Sequence, residues 1–181
     1  MLGTDLRVYI ACLACYNEGY HVGEWYDADE AGEITVKQIH KDGDAPDSPW
    51  LVEHEELWVH DHEGFGNLLK GECSPSEAQR IAELVADLDD DMRDAVGAYL
   101  EDRGDQLDDD SLARCRDAYH GKHDSEKDFA VDWVEGTDAI KDEVTWPYNH
   151  IDWDQAAEEI FNGGFYALKA AGGDIHVFCS S

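Results

Sequence analysis

The chain has 181 residues, of which 43 are Asp or Glu and only 13 are Lys or Arg, so its formal net charge is -30. A surface of this charge repels phosphate and attracts basic groups, which excludes nucleic acid as a direct ligand and favours a basic partner. Because 43% of the residues are apolar and 10% are aromatic, the chain can still bury a core. Composition alone leaves three alternatives: adaptation to a high-salt cytoplasm, ordinary surface solvation, or a functional array of charges.

The amino-terminal residues predict a small α+β domain over residues 1–65. A β-rich apolar run at 6–13 predicts a buried strand, and a short extended piece follows at 24–26. Residues 33–41 combine β-branched side chains with helical spacing, and we favour a helix. After a proline-containing loop at 46–49, alternating side chains at 56–63 predict a half-buried strand. Four aromatic residues are expected to be structural and to supply this core: Tyr9, Trp25, Trp58 and Phe65.

The middle of the chain, residues 66–108, predicts a helical domain. Ser74, Pro75 and Glu77 stand at the N-cap, first and capping-box positions of a helix. The densest charge of the chain follows, opposed only by Arg93 and Arg103. Its carboxylates are the candidate partner-binding residues: Glu83, Asp87, Asp89, Asp90, Asp91, Asp94, Glu101, Asp102, Asp105, Asp108, Asp109 and Asp110.

Residues 109–181 predict a second α+β domain. We expect a helix over 111–119, a helix capped by Ser125 that runs to about Glu135, and a helix capped by Asp152. Strand-like segments at 165–170 and 175–179 flank a paired-glycine turn and predict a hairpin.

The five cysteines have no regular spacing, which is typical of a reducing cytoplasm. Cys12 and Cys15 form a CxxC pair with no second pair and no obvious helix behind it, so we interpret both as structural thiols. His60 and His62, with His54 nearby, could form a transition-metal site, but solvated or buried histidines are the simpler interpretation. We therefore expect no metal.

Enzymatic chemistry has little support in the sequence. No calcium loop, metalloprotease, hydrolase or nucleotide-binding motif is present, and paired carboxylates are too common here to indicate a catalytic site. No enzyme and no cofactor is therefore expected. The apolar stretch at residues 8–14 is too short to span a membrane and lacks a basic leader, which favours a cytoplasmic location without membrane attachment.

Five blocks follow one another along nearly the whole chain. They are YIACL at 9–13 with YNEG at 16–19 and GEWYD at 23–27; EELWVHDHEGF at 55–65; DAYHG at 117–121 with DSEKDF at 124–129; Tyr148 with IDW at 151–153; and VF at 177–178. In this order and spacing they resemble the ArdA antirestriction family. The proline-rich loop at 41–52 and the weakly helical segment at 32–41 depart from the family pattern.

The resemblance implies an α+β fold in which an elongated chain of three small domains dimerises into a curved imitation of bent duplex DNA. It also implies an antirestriction protein, typical of mobile genetic elements, that blocks the DNA-binding groove formed by the specificity and modification subunits of type I restriction-modification enzymes. The candidate carboxylates would stand in for phosphates. Duplex DNA carries one charge per about 1.7 Å, so some 30 charges match roughly 50 Å of duplex.

A homodimer is expected, because one monomer spans too little charge for a long enzyme channel. Trp146, Tyr148 and Trp153 are the candidate interface residues, and a plain core for the third domain is the alternative. For function, the alternatives are a generic acidic chaperone or adaptor that shields basic partners, and a metal- or nucleotide-dependent enzyme.

Overall fold

The computed structural model describes residues 6–43, 54–137 and 147–180. The chain forms two compact units, Met1–Asp89 with Gln106–Asp109, and Asp90–Asp105 with Asp110–Ser181. Two three-stranded antiparallel sheets combine with helices, so the predicted α+β class is confirmed. The division into three domains and the elongated shape stay predictions. The predicted loop at 46–49 and the candidate Trp146 lie outside the described residues.

The first sheet has the predicted strand at residues 6–13 at its centre. This strand, β1 (Arg7–Cys12), pairs antiparallel with β2 (Gly23–Asp27) on one side and with β3 (Leu57–Glu63) on the other. Val8 and Ile10 are fully buried, as expected for a central strand whose alternate side chains enter the core. All three predicted amino-terminal strands are confirmed.

The aromatic residues expected in this core differ in burial. Phe65 is buried, whereas Tyr9, Trp25 and Trp58 are only half-buried. The rings of Tyr9 and Trp25 meet edge to face with their centroids 5.6 Å apart. Aliphatic side chains therefore fill most of the first unit's interior.

Two short helices pack beside the first sheet. Helix α1 (Leu13–Asn17) follows β1 at once, so the expectation that no helix stands behind the CxxC pair was wrong. Helix α2 (Val36–Asp42) begins at Thr35, whose hydroxyl accepts a hydrogen bond from the Gln38 N–H at 3.3 Å. This confirms the helix favoured for residues 33–41.

The middle of the chain is helical, as predicted. Helix α3 (Pro75–Val85) begins at Ser74, whose hydroxyl oxygen accepts the Glu77 N–H at 3.2 Å. Helix α4 (Asp90–Arg103) ends before Gly104, which takes a φ of 68°, a conformation that favours glycine.

Residues that follow α4 return to the first unit. Leu107 is 2% exposed, and its carbonyl oxygen accepts a hydrogen bond from the Arg80 guanidinium at 3.0 Å. The first unit is therefore assembled from two separate stretches of chain.

The second unit carries helices on another antiparallel sheet. In chain order its remaining elements are α5 (Asp109–Ala118), β4 (Tyr119–His123), α6 (Glu126–Gly136), α7 (Trp153–Asn162), β5 (Phe165–Lys169) and β6 (Ile175–Cys179). Ser125 and Asp152 cap α6 and α7 as predicted. Among the described residues, no helix has the length and apolarity needed to cross a membrane.

Strand β6 lies between β4 and β5. The β5–β6 hairpin is confirmed, and Gly172 and Gly173 supply positive φ values of 91° and 107° in its turn. Strand β4 was not predicted, and it begins at Tyr119, which the sequence predicts as the last residue of the preceding helix. It pairs antiparallel with β6 across an irregularity between Tyr119 and Lys122.

Candidate functional site

The twelve candidate carboxylates between residues 83 and 110, here called the acidic strip, lie mostly at the surface. Ten of them are exposed, and the other two, Asp94 and Asp105, are half-buried. Most of these carboxylates are therefore in contact with solvent, where a charged partner could reach them. Whether the strip binds a partner stays a prediction.

Three cations of the second unit pair with carboxylates of the acidic strip. Arg93 pairs with Asp90 at 3.7 Å, Lys122 with Asp91 at 2.9 Å, and Arg114 with Asp105 at 3.3 Å. Exposed pairs of this kind contribute about 0–1 kcal/mol each and weaken in salt. The chain's own cations therefore bind these carboxylates only weakly.

Asp94 differs from the rest of the strip because it links α4 to the β5–β6 hairpin. Its carboxylate accepts the Ala171 N–H at 2.7 Å and lies 3.0 Å from Nε2 of the fully buried His176. The Tyr119 hydroxyl lies 3.1 Å from the other ring nitrogen of His176. Burial acts to raise the pKa of Asp94, but the hydrogen bonds from Ala171 and His176 outweigh it, so this pKa lies below its usual value.

Helix starts help the chain to tolerate the strip's charge. Asp90 and Asp91 occupy the first turn of α4, and Asp109 and Asp110 begin α5. Negative side chains near a helix amino terminus are stabilised by the unpaired N–H groups and by the helix dipole. The fold therefore offsets part of the repulsion at two of the densest points of the strip.

The described candidates for the dimer interface contact each other within the second unit. The Tyr148 and Trp153 rings lie 5.2 Å apart, and both side chains are half-buried. The Tyr148 hydroxyl donates a hydrogen bond to the Glu135 carboxylate at 3.0 Å. These contacts fit a local core as well as an interface, so the dimer stays a prediction.

A second cluster, which the sequence did not predict, gathers the CxxC thiols and two histidines of the first unit. Cys12 ends β1, Cys15 lies in α1, His40 lies in α2, and His54 precedes β3. The Cys15 sulphur lies 3.3 Å from His54 Nδ1 and 3.6 Å from His40 Nε2. The Cys12 sulphur lies 3.4 Å from His54 Nδ1. We call these four residues the Cys-His cluster.

Burial and neighbouring groups shift the pKa values of two members of the cluster, Cys15 and His40. Burial, the adjacent Cys12 thiol and the Glu18 carboxylate raise the pKa of the Cys15 thiol to about 12. Burial and the neighbouring His54 ring lower the pKa of His40. Both groups are therefore neutral near pH 7 when no cation is bound.

The histidines that the sequence grouped with His54 lie elsewhere. The His60 ring contacts Tyr16 at 4.8 Å between centroids, and the His62 ring contacts Phe65 at 5.6 Å. The signal that could have revealed the cluster is a CxxC pair at the junction of a strand and a helix.

The fold and the charged surface define an acidic α+β protein suited to a basic partner. The family model described as Antirestriction protein (ArdA) matches residues 8–172, so the chain belongs to the ArdA antirestriction family, as the resemblance predicted. Membership implies antirestriction activity, and the family is one of inhibitor proteins that target restriction enzymes. Comparison with individually curated proteins gives no significant match.

Proposed function

We propose that this protein imitates duplex DNA and competitively blocks the DNA-binding groove of type I restriction-modification enzymes, at their specificity and modification subunits. The observation that carries the proposal is the acidic strip, ten of whose twelve carboxylates are exposed in a member of an antirestriction family. The net charge of -30 corresponds to about 50 Å of duplex in one chain, and to about 100 Å in a dimer.

Carboxylates at the surface would accept charge-assisted hydrogen bonds from the Lys and Arg side chains that hold DNA phosphates in the enzyme groove. Phosphate contacts position a protein on DNA but carry no sequence information. An inhibitor that copies only those contacts should therefore act on enzymes with different recognition sequences.

Binding energy should be spread over many weak contacts. The strip's own ion pairs, such as Arg93 with Asp90 and Arg114 with Asp105, lie at the surface with one partner at least half exposed, so they can be exchanged for cations of the enzyme at little cost. Asp94 is the exception, because the Ala171 N–H and His176 already engage its carboxylate. We therefore assign phosphate imitation to the exposed members and a structural role to Asp94.

A competition experiment tests the proposal. Labelled duplex DNA bound to a type I enzyme is titrated with the protein, and fluorescence anisotropy follows displacement while cleavage is assayed in parallel. We expect near-stoichiometric displacement for enzymes that recognise different sequences. Polyglutamate of matched total charge is the control. If it displaces DNA as well as the protein does, the generic acidic chaperone is the better explanation.

A further inference from the structure

We propose that the Cys-His cluster is a structural zinc site, with Cys12, Cys15, His40 and His54 as its four ligands. Two cysteines and two histidines form a preferred tetrahedral ligand set for Zn²⁺, in which thiolate and imidazole both suit the metal. One ligand atom from each residue lies within 4.8 Å of all the others. This proposal does not depend on the proposed imitation of DNA, because its test measures bound metal and not inhibition of a restriction enzyme.

The spacing of the ligand atoms fits a tetrahedral ion. With Zn–S near 2.3 Å and Zn–N near 2.0–2.1 Å, tetrahedral angles place a sulphur and a nitrogen about 3.6 Å apart. The Cys15–His54, Cys12–His54 and Cys15–His40 sulphur–nitrogen distances are 3.3, 3.4 and 3.6 Å. The ligand atoms all lie within 4.8 Å of one another, so the most distant pair needs to close by about 1.5 Å at most, which side-chain rotation can supply.

Glu18 completes the arrangement from outside. His54 turns Nδ1 toward both sulphurs, and its Nε2 lies 3.5 Å from the Glu18 carboxylate. Histidines that bind metals commonly donate the N–H of their other nitrogen to a carboxylate, which fixes the ring orientation. Glu18 is therefore a positioning residue for His54.

The site would be structural because four protein ligands leave no open position for a substrate or a reactive water. It would tie together the end of β1, α1, α2 and the segment before β3. Both cysteines are free of disulfides, so binding of the metal would displace the two thiol protons to solvent and each sulphur would bind as a thiolate.

The test begins with the full chain purified under reducing conditions without added chelator. Elemental mass spectrometry should find one zinc per chain. After chelation and replacement by Co²⁺, the visible spectrum should show intense tetrahedral d–d bands and a thiolate-to-cobalt charge-transfer band. A Cys15→Ser variant should lose the charge-transfer intensity of one thiolate and most of its zinc.

Cys73→Ser is the matched control, because Cys73 is another buried free cysteine of the first unit that lies outside the cluster. Glu18→Gln should fold normally, since the Glu18 side chain is 45% exposed, and should bind zinc about 10- to 100-fold more weakly. If Cys15→Ser fails to fold, the Co²⁺ spectrum of the unaltered protein decides whether a tetrahedral site with thiolate ligands is present. Absence of tetrahedral cobalt bands, a cobalt spectrum that Cys15→Ser leaves unchanged, or stoichiometric iron in place of zinc would overturn the proposal.

Discussion

Neutralising the aspartates at 108–110 should weaken inhibition without unfolding the protein. All three are exposed, and Asn preserves the size of each side chain. If each carboxylate contributes about 0.2–1 kcal/mol, as exposed ion pairs do, the triple Asn variant loses about 0.6–3 kcal/mol. That loss raises the Kd for the enzyme by about 3- to 150-fold. Asp109 and Asp110 also favour the start of α5, but relief of repulsion between neighbouring charges offsets this contribution.

The assay is anisotropy competition against labelled duplex across a salt series, with thermal unfolding measured by circular dichroism. The matched control replaces Asp29, Glu30 and Glu33, which are exposed on the turn Ala28–Glu33, by Asn or Gln. It removes the same charge outside the acidic strip and should affect binding less. Asn at 89–91 should weaken binding further and cost some stability, since Asp91 pairs with Lys122 at 2.9 Å.

Two results would refute this reasoning. A single Asn substitution that abolishes inhibition in a well-folded protein would indicate one specific site in place of a distributed array. Binding that does not change with salt would contradict an electrostatic mechanism, because exposed charges are screened. For the unaltered protein, the salt dependence should be shallower than that of DNA, whose charges are more rigidly and closely spaced.

Three further outcomes are expected. Asp94→Ala should cost about 1–3 kcal/mol in urea unfolding, because His176 and the Ala171 N–H lose their acceptor. Folding lowers the pKa of Asp94, so the Asp94 carboxylate stabilises the folded protein fully above the ordinary Asp pKa of about 3.9. This stabilisation is lost as the pH falls through the pKa that Asp94 has in the folded protein. An acid-unfolding curve that Asp94→Ala leaves unchanged would contradict this. Ser74→Ala should lower the free energy of unfolding by about 1 kcal/mol through loss of the α3 cap, and an unaltered Tm would argue against that role. Light scattering should give twice the 20.3 kDa chain mass, with Trp153→Ala shifting it toward the monomer, whereas a monomeric mass for the unaltered chain rejects the dimer.

Elements with strong local signals could be predicted from the sequence. The start of α3 depends on Ser74, Pro75 and Glu77, which act within one turn, and the buried strand β1 is a continuous apolar run. Exposure of the acidic strip could also be predicted from the sequence, because so many neighbouring carboxylates cannot all be buried.

Features that depend on distant contacts could not be predicted. Strand β4 reads Tyr-His-Gly-Lys-His, with no β-branched residue, and is held by pairing in which Tyr119 opposes Phe178. Helix α1 has five residues and no side-chain cap, too few for a periodic pattern. The Cys-His cluster joins Cys15 to His54 across 39 positions, a proximity that only the β1–β3 pairing creates.

The return of Leu107 to the first unit sets an order of events during synthesis. The hydrogen bond from Arg80 to the Leu107 carbonyl and the burial of Leu107 can form only after the whole of α4 has left the ribosome. The amino-terminal unit therefore cannot finish folding until residues 106–109, which follow α4, have also emerged. A fragment that stops at Asp89 should expose the apolar surface that Leu107 covers and tend to aggregate.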